Sequence, residues 1–126
     1  MKKIIILSFI ALLDGCVSTA NFFELSPTKT SNFGYWTGAH SNVSVATLKL
    51  EQDGTGIICQ DYQGVAKVQS IKKVDNKIYT QDGSFWTIKV ESPTDLEIAY
   101  GLGGSYKLIK DDQKAHITPA CKAKIN

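Results

Sequence analysis

From Phe33 onward, polar and apolar residues alternate. In 85–90, Trp86, Ile88 and Val90 share one face, with Thr87 and Lys89 on the other. In 95–100, Leu96, Ile98 and Tyr100 oppose Glu97 and Ala99; in 105–110, Tyr106 and Leu108 oppose Ser105 and Lys107. A two-residue period with one polar face is the pattern of a half-buried antiparallel strand. Turn residues interrupt it at short, regular intervals: Asp53-Gly54, Gln63-Gly64, Asp75-Asn76, Asp82-Gly83, Ser92 to Asp95 and Gly101 to Gly104. That rhythm is one of hairpins. It predicts eight strands, at 34–39, 43–51, 55–61, 64–73, 77–81, 84–91, 95–100 and 104–110. Val43 and Val45 lie in one phase while Ala46, Leu48 and Leu50 lie in the other, so a bulge is expected near Val45. No segment carries a helical period, which leaves only the stretch before residue 33 and the C-terminal tail for a helix. The expected fold is all-β: a small antiparallel meander of about eight strands, in a barrel or sandwich, with one disulfide. Closure would remove its edge strands.

The start of the chain reads differently. Met1-Lys2-Lys3 precedes ten residues, Ile4 to Leu13, that are apolar apart from Ser8. A positive end followed by a short apolar run is a secretory signal, too short for the ~20 residues a permanent span requires. The run ends Leu13-Asp14-Gly15-Cys16, which resembles the lipobox of bacterial lipoproteins. Leu13, Gly15 and Cys16 match that pattern, and Asp14 departs from it. The resemblance implies cleavage before Cys16, diacylglycerol on its sulfur and a fatty acyl group such as palmitate on the new N-terminus. Val17 stands where enterobacterial lipoproteins kept in the inner membrane carry Asp, which implies an outer-membrane location; the domain is expected to face the periplasm, though Val17 does not bear on that. A rival cut exists after Ala20, where Ser18-Thr19-Ala20 presents small residues to an ordinary signal peptidase. The expected organisation is a lipoprotein signal peptide over 1–15, a tether over 16–32 and a β domain over 33–126. Within the tether, Phe22, Phe23 and Leu25 are apolar enough to dock on the domain instead.

Export changes the reading of the cysteines. Besides Cys16 the chain has Cys59 and Cys121. An even pair in an oxidising compartment is expected to form a disulfide. It would close a loop of about sixty residues, a nominal ~4 kcal/mol in the chain-entropy account. No Cys-x-x-Cys or His-x-x-x-His spacing supports a metal site, and His116 is the one nearby candidate ligand.

Charge narrows the partners. All fourteen basic residues are Lys, against twelve acids, for a net charge of +2. The lack of Arg and the near-neutral balance speak against nucleic acid as a partner. Catalytic groups are sparse. His40-Ser41 are adjacent, and neighbours on a strand point to opposite faces. Gly101-Leu102-Gly103-Gly104 is followed by a strand rather than the helix a phosphate loop needs. Asp53-Gly54-Thr55-Gly56 lacks the alternating acids of a calcium loop. Asp111-Asp112 follow the last strand and are expected to be solvated. Neither an enzyme nor a cofactor is expected. The aromatics remain, spread across most strands: Trp86 is expected in the core, while Tyr35, Trp36 and Tyr62 are candidates for a binding surface.

Two resemblances bear on the domain. Gly34-Tyr35-Trp36-Thr37-Gly38 resembles the Gly-x-Trp opening strand of lipocalins. Gly-Ser-Tyr at 104–106 resembles, in a different order and spacing, the Ser-Gly-x-x-Tyr loop of lysozyme-inhibitor lipoproteins. The expected function is that of a lipid-anchored, non-enzymatic envelope protein that binds a macromolecular partner as an inhibitor or immunity-type lipoprotein. Two alternatives stand beside it: a lipocalin-like carrier of a small apolar ligand, and an accessory lipoprotein of an envelope assembly.

Overall fold

The computed structural model describes residues 21–125. Cys16, both cleavage points and the predicted signal-peptide boundary lie outside the described residues. Eight strands follow one another: β1 (Gly34–His40), β2 (Ser44–Leu50), β3 (Thr55–Tyr62), β4 (Val65–Val74), β5 (Lys77–Thr80), β6 (Phe85–Glu91), β7 (Asp95–Ala99) and β8 (Ser105–Lys110). Every boundary falls within one residue of its expected place. Each strand pairs antiparallel with the next, and β8 returns to pair with β1. The fold is therefore a closed up-and-down barrel rather than a sandwich, and no strand edge is left open.

The inward phase of each strand fills the barrel. Trp36, Leu48, Leu50, Ile58, Ile71, Ile78, Trp86, Leu96, Ile98 and Leu108 form one continuous core. The two faces of β2 obey a single phase, with Ser44, Ala46, Leu48 and Leu50 turned inward. Its pairing with β1 and β3 runs without a slip, so the bulge expected near Val45 is absent. Val43 instead belongs to the preceding turn and is exposed, and Val45 faces out. The register slip occurs in β6, between Ile88 and Val90. It turns Val90 out of the face it was expected to share with Trp86 and Ile88, leaving it 44% exposed.

One end of the barrel is sealed by the segment before β1. Thr28 N donates to the carbonyl of Lys73, Asp75 N donates to Thr28 Oγ1, and Thr30 N donates to the carbonyl of Gln52. The indole of Trp36 donates to the carbonyl of Asn32 at 3.0 Å. Gly54, at φ +94°, lies so close to the Thr28 carbonyl that a Cβ there would collide with backbone. Lys73 points into this end, almost fully buried, with its ammonium donating to the Asp75 carbonyl at 2.9 Å and 3.9 Å from Glu91. Residues 22–32 are therefore packed against the barrel and not a free tether. The 3-10 turn Phe22–Glu24 buries Phe22, the docking that its apolar character allowed.

The tail closes over the outer wall. The short helix α1 (Pro119–Ile125) lies against β3 and β4. Cys121 is bonded to Cys59, with Cα atoms 5.9 Å apart, as the cysteine count predicted. Ile117, Tyr35 and Ala66 pack around that bridge. Asp111 is buried and not solvated as expected: its carboxylate accepts from the backbone N–H groups of Ala115 and His116. It shapes the turn into the tail and is structural. Among the described residues no helix is long and apolar enough to cross a membrane.

Candidate functional site

The other end of the barrel is open. Because the strands alternate direction, the turns β1–β2, β3–β4, β5–β6 and β7–β8 all gather there. They ring a pocket of about 620 Å³. Its rim is apolar: Val43, Tyr62, Phe85 and a fully exposed Leu102. Its floor is polar and uncharged. Ser44 Oγ and Tyr106 OH lie 2.6 Å apart, and Gln60 Nε2 donates to the phenol oxygens of Tyr62 at 2.8 Å and Tyr106 at 3.1 Å, with Tyr100 at 3.4 Å.

Strand phase explains this convergence. Gln60 and Tyr62 continue the inward face of β3 past Ile58, Tyr100 extends the inward face of β7, and Tyr106 opens that of β8. His40 ends β1 and meets Tyr100 at a tilt and Tyr106 edge to face, with ring centres 5.6 and 6.0 Å away. Gly104 makes room for it: at φ +87°, a Cβ at this position would press into the imidazole. Trp86 backs the floor against Tyr100 and Tyr106, and its buried indole N–H has no hydrogen-bond partner among the described residues.

The electrostatics match this neutral lining. Burial, reinforced by the neighbouring phenol of Tyr106, pushes both Tyr62 and Tyr100 above the ordinary tyrosine range. Both stay protonated at any physiological pH. Gln60 donates into their oxygens, and the phenols also bond to one another, so the mouth presents a neutral hydroxyl cluster able to donate or accept. At the rim, Asp82 accepts from Thr80 Oγ1 at 2.5 Å and from Ser84 Oγ and N, which hold its carboxyl down at about 2. This fixes the β5–β6 turn beside Phe85.

Of the three aromatics proposed for a binding surface, only Tyr62 lies here, 41% exposed. Trp36 is fully buried at the sealed end, where the Lys110 ammonium lies 4.8 Å from its ring centre. Burial takes it off any external surface. Tyr35 faces outward on the same strand and packs beneath the disulfide-bonded tail. His40, Ser44, Gln60, Tyr100 and Tyr106 complete the mouth. Their shared end-of-strand positions are the sequence signal for it, legible once the barrel is known to close.

His40 and Ser41 do not face one another as a base and nucleophile would. Ser41, at φ +52°, belongs to the β1–β2 turn, and the His40 ring nitrogen Nδ1 pairs with the carbonyl of Ser105. Asp53 makes a hairpin turn, its carboxylate accepting from Thr55 N and Oγ1. Among the described residues no group of three or more His, Cys, Asp or Glu could hold a metal ion.

A closed eight-stranded barrel with a sealed base and an open, aromatic-lined mouth defines a lipocalin-type protein. The chain belongs to the family described as the bacterial lipocalin LPS transport optimiser YedD, whose model matches residues 19–125. Two solved structures share the fold. One is a lipocalin lipoprotein affecting virulence in Streptococcus pneumoniae, at 17% identity and a TM-score of 0.55 over 67% of this chain and 97% of that one. The other is the lipoprotein YedD from Klebsiella pneumoniae, at 18% identity and a TM-score of 0.52 over 81% of this chain and 89% of that one. No curated protein matches the chain.

Proposed function

We propose that this chain is a lipid-anchored, non-enzymatic accessory protein of the bacterial outer membrane, held through Cys16, and that its barrel mouth binds a protein of the lipopolysaccharide transport route. The observation carrying this reading is the contrast between the two ends of the barrel. Below the phenols the interior is filled by packed side chains, whereas the rim exposes Val43, Phe85 and Leu102 together. A cluster of exposed apolar residues around a polar floor is the signature of a protein contact. The process comes from the description of the family, and it favours the accessory role over the inhibitor or immunity role.

The test is affinity capture from membranes with the intact anchored protein, beside a Val43→Asp/Leu102→Asp variant. Recovery of a lipopolysaccharide-transport component by the former and its loss from the latter supports the reading. Equal recovery by both refutes it.

The pocket itself favours a second reading, carriage of a small apolar molecule with a hydrogen-bond acceptor at its inner end. Its volume of about 620 Å³ lies in the usual range for ligand sites, and the phenols of Tyr62 and Tyr100 present donors. Native mass spectrometry of protein purified without detergent separates the two: a stoichiometric small-molecule adduct favours carriage, and its absence favours the protein contact.

A further inference from the structure

The segment before β1 does more than seal the base. Lys72, on the outer wall of β4, turns its ammonium onto this segment. It donates to the carbonyls of Phe22 at 2.9 Å, Phe23 at 3.3 Å and Leu25 at 3.0 Å, and lies 4.8 Å from the ring centre of Phe22. Phe22 is buried and shares a cleft with Lys49, Ile57 and Ser70, on the half of the wall nearest the sealed end. One lysine thus gathers three carbonyls of the segment, that of Phe22 also accepting from Leu25 N, and adds a cation–π contact. From there the chain crosses the base through the Thr28 and Thr30 backbone bonds. The chain enters the fold at Phe22, on the side opposite the mouth.

We propose that this lysine clamp makes the sealed end of the barrel its membrane-proximal face and presents the mouth away from the bilayer that holds the lipid. The inference rests on lipidation of Cys16. Four residues lie between Cys16 and Asn21, five Cα steps with a reach of at most ~18 Å. The strands next to the clamp span ~23 Å, or roughly 18 Å along the axis of a tilted barrel. The mouth can meet the bilayer only if this short linker runs fully stretched along the wall, a single conformation set against the many in which the base is near. Left to itself, the apolar rim would partition toward lipid. The clamp opposes that. With residues 22–27 released and Thr28 still bonded to the base, the reach from Cys16 becomes ~43 Å and the constraint vanishes. The rim is thereby kept for partners in the aqueous space.

The experiment uses the full lipidated protein in phosphatidylcholine vesicles whose headgroups carry an energy-transfer acceptor. A fluorescent amino acid is placed either at Asn76, on the exposed β4–β5 turn of the sealed end, or at Leu102, on the rim. Transfer from position 76 should exceed that from position 102 by about twofold or more, given the ~18 Å between the ends of the barrel. Equal transfer, or more from position 102, overturns the proposal while leaving anchoring intact. Lys72→Ala, checked for an unchanged barrel by circular dichroism, should erase the difference; a difference that persists overturns the role of the clamp. Failure of the protein to float with vesicles defeats lipidation, on which the proposal depends, and is read separately from the transfer.

Discussion

Asp82 shows how a single side chain organises the mouth. Its carboxylate accepts from Thr80, from Ser84 and from the Ser84 backbone, and Lys67 lies 3.7 Å away. These hydrogen bonds hold its pKa at about 2, below the ordinary value of 3.8. A depressed carboxyl contributes stability that is fully present above that ordinary value and is lost as pH falls through the folded value. The prediction is a carboxyl titration of Asp82 centred near 2 by NMR, with the Ser84 amide moving in step. A midpoint above 3.5 would mean that the turn does not hold the carboxylate. Trp36 is the corresponding residue of the sealed end: fully buried, with its indole bonded to Asn32. Trp36→Ala should cost ~3–5 kcal/mol, read as a fall in the denaturant midpoint at unchanged slope. A loss under 1 kcal/mol would place Trp36 outside the core, contrary to the packing described.

At the scale of elements, the disulfide and α1 form a clasp on the outer wall of β3 and β4. The bridge joins residues 62 apart, so replacing both Cys59 and Cys121 with Ser should destabilise the domain by about 4 kcal/mol. The strands should survive, because the ladder is closed without the clasp. Loss of the far-ultraviolet strand signal at neutral pH would show that the barrel depends on it. The strands themselves were legible in the sequence because each carries a two-residue period ended by Gly, Asn or Asp. Less legible was where that period breaks. Val43 looked like strand, but it belongs to a turn; the slip lies at Lys89, where Ile88, Lys89 and Val90 alternate as an unbroken strand would. The mouth was legible only in part. Tyr62 stood out as an aromatic, but Gln60 and Ser44 are ordinary polar residues until β8 closes on β1 and brings Tyr106 to them. Trp36 misled because an aromatic on an opening strand reads equally well as core or surface, and only burial decides.

The whole molecule is a barrel with two unlike ends. One is sealed by residues 28–32 and the buried Lys73, and Phe22, near the start of the described residues, is buried beside it. The other is ringed by turns that expose apolar side chains above a neutral, phenol-lined floor. This polarity is what the proposed role uses: attachment at the base and contact at the mouth. The most direct test is site-specific photo-crosslinking in intact cells, with the reactive group at Leu102 on the rim or at Lys89 on the flank of the barrel. The account predicts a covalent adduct from Leu102 to a component of the lipopolysaccharide transport route, and none from Lys89. Adducts of the same kind from both positions, or from Lys89 alone, would contradict it.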